Sequence, residues 1–327
     1  MTINPNSLPC DHVPNQSANP SPTRLPAHDA LRGFDMFWLI GGELLPAALL
    51  TLTGWPLLRS VTNQFQHAAW HGFTFYDLIF PLFIFIAGVA VGLQGRSLTA
   101  LPLRGRAAHY QKALRRLLLL ILLGVVYNHG WGSGMPADPS AIRYASVLGR
   151  IGIAWFVTAM LVWHFSANTV SGISLVLLTG YSLLQVQWPL TAAGSLNSLL
   201  DQALLPGISY RHAPFDPEGM YSQLGAIATC LFGALVGRYW RYESSPQRRL
   251  WRLAACGMGL VLLGYLLHPF YPLNKSLWTG SFVLLTGGIS VLLLLGFHLL
   301  LGERKPRLSA PLHWLGNNAI LAYLGTK

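Results

Sequence analysis

The string NQFQHAAWHGFTFYDLIFP, residues 63–81, sets two histidines and an aspartate in an order that suits proton transfer. His67 and His71 are four apart and share a face if the stretch is helical, and Asp77 follows just inside an apolar run. An ionisable group within a membrane span costs roughly 2.5–3.5 kcal/mol on insertion scales, so it faces a bundle interior or a cavity. An imidazole titrates near neutrality, and a carboxylate beside it fixes its tautomer, so His67 and Asp77 are the candidate catalytic pair. A histidine at the interface, hydrogen-bonded to backbone, fits the same residues. HAAWH also has the spacing of a two-histidine metal site, but it lacks the glutamate of HExxH and a third ligand, so no metal is expected.

Four other strings carry charge where apolar chain surrounds it. HDALRGFDMFW (28–38) brings Asp29 and Arg32 to the inner boundary of the first apolar segment, as a topology anchor or as a grip on an anionic cofactor. SVLGRIGIAW (146–155) buries Arg150 just inside a span, where it needs a partner. FDPEGMYSQLG (215–225) offers Asp216 and Glu218 at a helix N-terminus, where capping explains acidic residues as well as substrate binding does. YPLNKSLWTGS (271–281) places Lys275 at the outer interface, as a membrane anchor or as a contact for an anionic ligand. Asn317 and Asn318 suit hydrogen bonding between helices.

The elements that position these residues follow from composition. Of 327 residues 52% are hydrophobic and only 10% charged, which excludes a soluble two-domain protein, a disordered chain and a secreted disulfide scaffold. Nine apolar segments are expected, near 34–52, 73–93, 112–128, 147–165, 170–188, 220–237, 253–270, 277–301 and 311–325, giving an all-α polytopic transmembrane bundle. Residues 1–27, rich in Pro, Ser and Asn, read as a disordered tail before a membrane domain at 28–327. The ninth segment runs into the last residue, which suggests a shortened C-terminus.

The net charge of +11 sits at segment ends, which points to anionic lipid and topology rather than nucleic acid. With the N-terminus inside, sixteen Lys and Arg fall on the inner side and five on the outer. Three cysteines, two of them within apolar segments, argue against a disulfide framework. No P-loop, dinucleotide fingerprint or CxxC motif is present.

In order along the chain, HDALRGFDMFW, HAAWHGFTFYDLIFPLFIFIAG, SVLGRIGIAWF, FDPEGMYSQLGAI, LNKSLWTGSFVL and WLGNNAILAY resemble the motifs of heparan-α-glucosaminide N-acetyltransferase and its bacterial relatives. The resemblance runs from about residue 28 to the C-terminus. It implies a multipass membrane acyltransferase, placed in a bacterial inner membrane, that moves an acetyl group from cytoplasmic acetyl-CoA to an amino sugar or glycan on the other face. The family's active-site histidine, ten residues before an Asp-Leu-x-Phe-Pro string, matches His67, and the aspartate matches Asp77. The Asp-x-x-Arg-Gly string matches Asp29 and Arg32, which with Arg150 and Lys275 become candidates to hold acetyl-CoA. His71, Asp216, Glu218, Asn274 and Asn318 become candidates to hold the acceptor. The family's lysosomal member has an active-site asparagine eleven residues before the histidine; here that position is Pro56, and Asn63 is the candidate replacement. A further expected departure from that member is the lack of its lumenal domain and of one leading helix.

Two mechanisms stay open: His67 as general base for direct attack on the thioester, or His67 as acyl carrier. The rival class is a transporter or flippase for a sugar or lipid-linked metabolite, though the halves of the chain share no repeat. Monomer and homodimer fit the residues equally.

Overall fold

A computed structural model describes residues 25–99, 101–302 and 309–326. Most of the expected tail, together with Arg24, Arg304, Lys305, Arg307 and Lys327 of the charge balance, lies outside the described residues. The tail was expected to end at residue 27, but the first helix already begins at Pro26, where proline suits a first helical position.

Among the described residues the chain is helical, with one isolated antiparallel bridge between Arg143 and Gly207. Helices α1 (Pro26–Phe37) and α2 (Leu44–Thr53) are joined by a π-helical turn at Trp38–Gly42 and bend by 55°. Gly41, at φ 130°, makes that bend possible. Then follow α3 (Leu57–Gln64), α4 (Phe75–Gln94), α5 (Leu103–Asn128), α6 (Val147–His164) and α7 (Ala167–Gln185). After them come α8 (Leu196–Leu204), α9 (Ser222–Tyr242), α10 (Pro246–Leu267) and α11 (Gly280–Leu301).

By length and composition five helices can cross a membrane, α4, α6, α7, α10 and α11, and the bent α1–α2 pair makes a sixth. α5 and α9, 26 and 21 residues long, carry arginines within their length. The last expected segment is two short helices, α12 (Ala310–Asn317) and α13 (Ala319–Leu324), broken at Asn318. The short helices α3 and α8 lie in the loops between α2 and α4 and between α7 and α9.

The core forms around α4 and α9. Gly88 and Gly92 on α4 meet Gly233 and Gly237 on α9, each where an added Cβ would strike backbone of the other helix. Paired small-xxx-small faces of this kind bring two backbones together in an apolar medium. That contact fixes the N-terminal end of α4, where Asp77 lies, beside the loop before α9, where Glu218 lies. Leu82, Phe85, Ile86 and Val89 pack one side of it, and Ala226, Cys230, Leu231 and Phe282 the other.

Candidate active site

α4 begins at Thr74 because Asp77, its third residue, reaches back: the Thr74 backbone N–H and hydroxyl both donate to Asp77 Oδ2, at 3.2 and 3.0 Å. This is a capping box, with aspartate in place of glutamate. The Ala68 N–H donates to the same oxygen at 3.2 Å, which folds the loop bearing His67 over the helix end. Asp77 Oδ1 is left for His67, whose Nδ1 lies 2.8 Å away. A carboxylate only accepts, so the imidazole carries a proton on Nδ1 and turns Nε2 away from Asp77. The Asp77 side chain is 1% exposed and that of His67 55% exposed, so a buried orienting group holds an open imidazole. The His67 ring stacks on Tyr76, centroids 4.8 Å apart.

Lys275 completes the cluster from the loop between α10 and α11. Its Nζ lies 3.1 Å from His67 Nδ1, 3.5 Å from Nε2 and 3.5 Å from Asp77 Oδ1. Burial pushes the ammonium below the ordinary lysine value, with the Asp77 and Glu218 carboxylates partly offsetting it. Asn274 anchors that loop. It is fully buried, takes the Leu277 N–H on Oδ1 at 2.7 Å, and donates from Nδ2 to the Trp70 carbonyl at 2.9 Å. His71 Nδ1 is 3.3 Å from the same Nδ2, and burial, then His268, hold its imidazole below the ordinary value. His71 thus stands behind the cluster, against Asn274.

Asp216 and Glu218 lie in the loop before α9, whose first helical residue is Ser222, and so are not its cap. Arg143 binds both: its Nε and Nη2 reach the two Asp216 oxygens at 2.7 Å each, and Nη2 also reaches Glu218. Burial raises the Asp216 carboxyl, but the Arg143 hydrogen bonds outweigh it and hold it below the usual range. Glu218 is pushed up, by burial and by Asp216, despite Arg150 and Arg143. Arg143 is a functional candidate that the motifs do not single out, because it stands 73 residues from Asp216.

Arg150 is 2% exposed, lies 4.9 Å over the Trp278 ring, and donates to Ser222 Oγ. Trp278 takes a left-handed backbone, φ 55°, to sit there, and Gly225 leaves room for its indole. Asn63 is exposed on α3, and no hydrogen bond among the described residues joins it to His67 or Asp77.

At the opposite end of α4 lies a cavity of about 410 Å³. Arg32, Arg116, Gln94, Trp155 and Asn318 line it. Arg32 pairs with Asp29 at 3.6 Å. Arg116 lies 4.1 Å over Trp155, within Coulombic reach of Arg32, and among the described residues has no carboxylate partner. Asn318 donates to the Trp314 carbonyl, so the structure groups it with Arg32 rather than with His67. A smaller cavity, lined by Phe80, Val147 and Tyr323, shares Phe83, Leu148, Ile151, Ala319 and Ile320 with the first. On α4, Tyr76, Phe80, Phe83, Ala87, Ala90 and Gln94 fall at alternating spacings of four and three, hence on one face. That face runs from the ring beneath His67 to the cationic cavity, a rise of about 27 Å.

No family model matches the chain. Heparan-α-glucosaminide N-acetyltransferase of Mus musculus is 25% identical over 323 aligned positions, covering 80% of this chain and 49% of the relative. The protein of the same name from Homo sapiens is 25% identical, covering 80% and 48%. The chain therefore spans about half the length of the curated relatives it matches. With several helices apolar enough to cross a bilayer, this all-helical, multi-pass membrane chain is a distant relative of heparan-α-glucosaminide N-acetyltransferase.

Proposed function

We propose that the chain is a membrane acyltransferase, its acyltransferase domain spanning residues 28–327. It transfers an acetyl group from acetyl-CoA on the cytoplasmic side to an amino sugar or glycan on the outer face. The observation that carries this reading is the His67–Asp77 pair, a 2.8 Å contact between an open imidazole and a buried carboxylate at one end of the bundle. Similarity to an N-acetyltransferase favours it over a transporter for a sugar or lipid-linked metabolite.

In this reading Nε2 of His67 takes a proton from the acceptor amine as its nitrogen attacks the thioester carbonyl. The carbon–sulfur bond breaks and CoA leaves. Asp77 holds the Nδ1 proton and stabilises the imidazolium that forms. Arg32 and Arg116 supply the charge a CoA phosphate needs, and the single face of α4 gives the pantetheine arm a path toward His67. Asp216, Glu218, His71, Asn274 and Asn63 stand on the side from which the acceptor arrives. Nine crossings with the N-terminus inside place the basic loops in the cytoplasm of a bacterial cell. Acetylation of His67 itself is the covalent variant; parallel double-reciprocal lines support it and intersecting lines the direct route.

The test is an assay of the purified protein with acetyl-CoA and a panel of amino sugars, wild type beside His67→Ala. CoA release that requires both an acceptor and His67 is expected. Near-normal transfer by the variant would refute both forms of the mechanism.

A further inference from the structure

The acceptor amine in an acetyl transfer must come within hydrogen-bond reach of the base and of the thioester carbonyl. One primary amine of this chain already stands beside the base. Lys275 Nζ is 3.1 and 3.5 Å from the two ring nitrogens of His67, on a side chain 23% exposed. The loop that carries it is fixed on both sides. The Gly72 N–H donates to the Leu273 carbonyl at 2.8 Å, and Tyr181 and Gln185 donate to the Leu277 carbonyl at 2.8 and 3.0 Å.

What keeps that amine unreactive is weak. Its salt bridge to Asp77 Oδ1 is 3.5 Å long, against about 2.7–2.9 Å for a close charge-assisted bond. Burial also lowers the ammonium's hold on its proton. The other outer cations of the positive-inside reading, Arg59, Arg143, Arg150 and Arg211, are all arginine, which stays protonated and does not take up acyl groups. Only four lysines occur in the chain, Lys112, Lys275, Lys305 and Lys327, and one of them is set against the base.

We infer that Lys275 is an internal acetyl acceptor, acetylated on Nζ by the donor thioester when no external amine occupies the site, and that this modification switches the protein off. The inference rests on the acetyltransferase reading above. The ammonium first gives one proton to Nε2 of His67, 3.5 Å away, because Nδ1 already carries the proton that faces Asp77. The neutral Nζ then attacks the thioester carbonyl carbon, a nitrogen–carbon bond forms, the carbon–sulfur bond breaks, and the second proton leaves with the CoA thiolate as free thiol. Net, one lysine ammonium and one acetyl thioester give one acetamide, one thiol and one proton. Well-oriented intramolecular reactants reach effective concentrations of roughly 10⁵ M and above, so a lysine held beside the base competes with a dissolved amino sugar. The product amide has lost the cation facing Asp77 and stands where the acceptor must enter.

The experiment uses the full chain in detergent with radiolabelled acetyl-CoA and no acceptor, followed by proteolysis and mass spectrometric mapping of the lysines. Label on Lys275 is expected to exceed that on Lys112 by about tenfold or more. It should fall roughly a hundredfold in His67→Ala and in His67→Gln. Lys275→Arg should abolish it, and saturating glucosamine should suppress it. Equal labelling of Lys275 and Lys112, or labelling unchanged in both His67 variants, would overturn the inference by making the reaction purely chemical. Transfer to glucosamine by the same preparation, with Lys275 unlabelled, sinks this inference and leaves the acetyltransferase reading standing. Absence of both reactions sinks both.

Discussion

Asn274 Nδ2 donates to the Trp70 carbonyl at 2.9 Å, between residues 204 apart in the chain. With the Gly72 N–H bond to the Leu273 carbonyl, at 2.8 Å, it ties the loop that presents Lys275 to the loop that presents His67. Asn274→Ala removes it and also strips the Leu277 N–H of its acceptor, at a cost of about 1–3 kcal/mol for the buried groups left unpaired. Misplacement of a reacting group by about 1 Å costs on the order of a hundredfold in rate. The variant should therefore fold, melt at a lower temperature, and lose kcat for acetyl transfer by roughly that factor. Normal kcat beside a lowered melting temperature would show that the tie is structural only.

Asp77 carries two duties on its two oxygens: Oδ2 closes the start of α4 and Oδ1 orients His67. Asp77→Asn keeps the shape but turns one acceptor into a donor, so one duty fails. If the amide oxygen stays with Thr74 and Ala68, its NH₂ faces His67 and favours the tautomer with Nε2 protonated, which cannot act as base. Loss of about 10²–10⁴ in kcat with little change in KM for acetyl-CoA is expected. Equal losses in kcat and stability, corrected by no second change, would place Asp77 in the fold alone.

The chemistry that was legible in the sequence lay close together along the chain. His67 and Asp77 are ten residues apart, and Thr74-x-x-Asp77 before an apolar run is itself a helix-start pattern, so both the pair and its position could be read. The partner Lys275, 208 positions from His67, could be flagged as a cation but not placed, because only the packing of α4 against its neighbours decides that meeting. Arg143 and Asp216 are 73 apart, so the bidentate pair they form depends on packing that no local motif encodes. The helical class followed from composition. The break at Asn318 did not, since an Asn pair is compatible with either a continuous helix or a hinge.

The Arg143–Asp216–Glu218 cluster predicts how the loop between α8 and α9 responds to acid. Asp216 is held below the usual range, so the stability it contributes is full above the ordinary aspartate value near about 3.9 and is lost only as pH falls through its lower folded value. Glu218 is raised, so its contribution has the opposite sign: present at low pH and lost as pH rises through its elevated value. Between pH 7 and about pH 5 the cluster therefore does not loosen. Trypsin cleavage after the exposed Arg211, between α8 and α9, reads this directly and should stay slow across that range. Asp216→Asn leaves Arg143 without its buried bidentate partner, a loss of about 3–5 kcal/mol, and should make the same bond labile at both pH values. Rapid cleavage of wild type at pH 5 would contradict the assignment.

At the other end of α4, two guanidiniums face one cavity with one carboxylate between them. Arg32 has Asp29 at 3.6 Å, and Arg116 has the face of Trp155. Like charges left facing each other in an apolar bundle are costly, and an anion relieves that cost. If the anion is a CoA phosphate, Arg116→Met should raise KM for acetyl-CoA by about tenfold, the loss of one charge-assisted contact near 1.4 kcal/mol. The same change should leave KM for S-acetylpantetheine untouched, because that donor carries the thioester without the phosphates. Arg116→Lys restores charge without the planar stack on Trp155 and should recover only part of the affinity. An equal effect on both donors would mean that Arg116 supports the bundle rather than the nucleotide, and the phosphate site would have to be sought elsewhere.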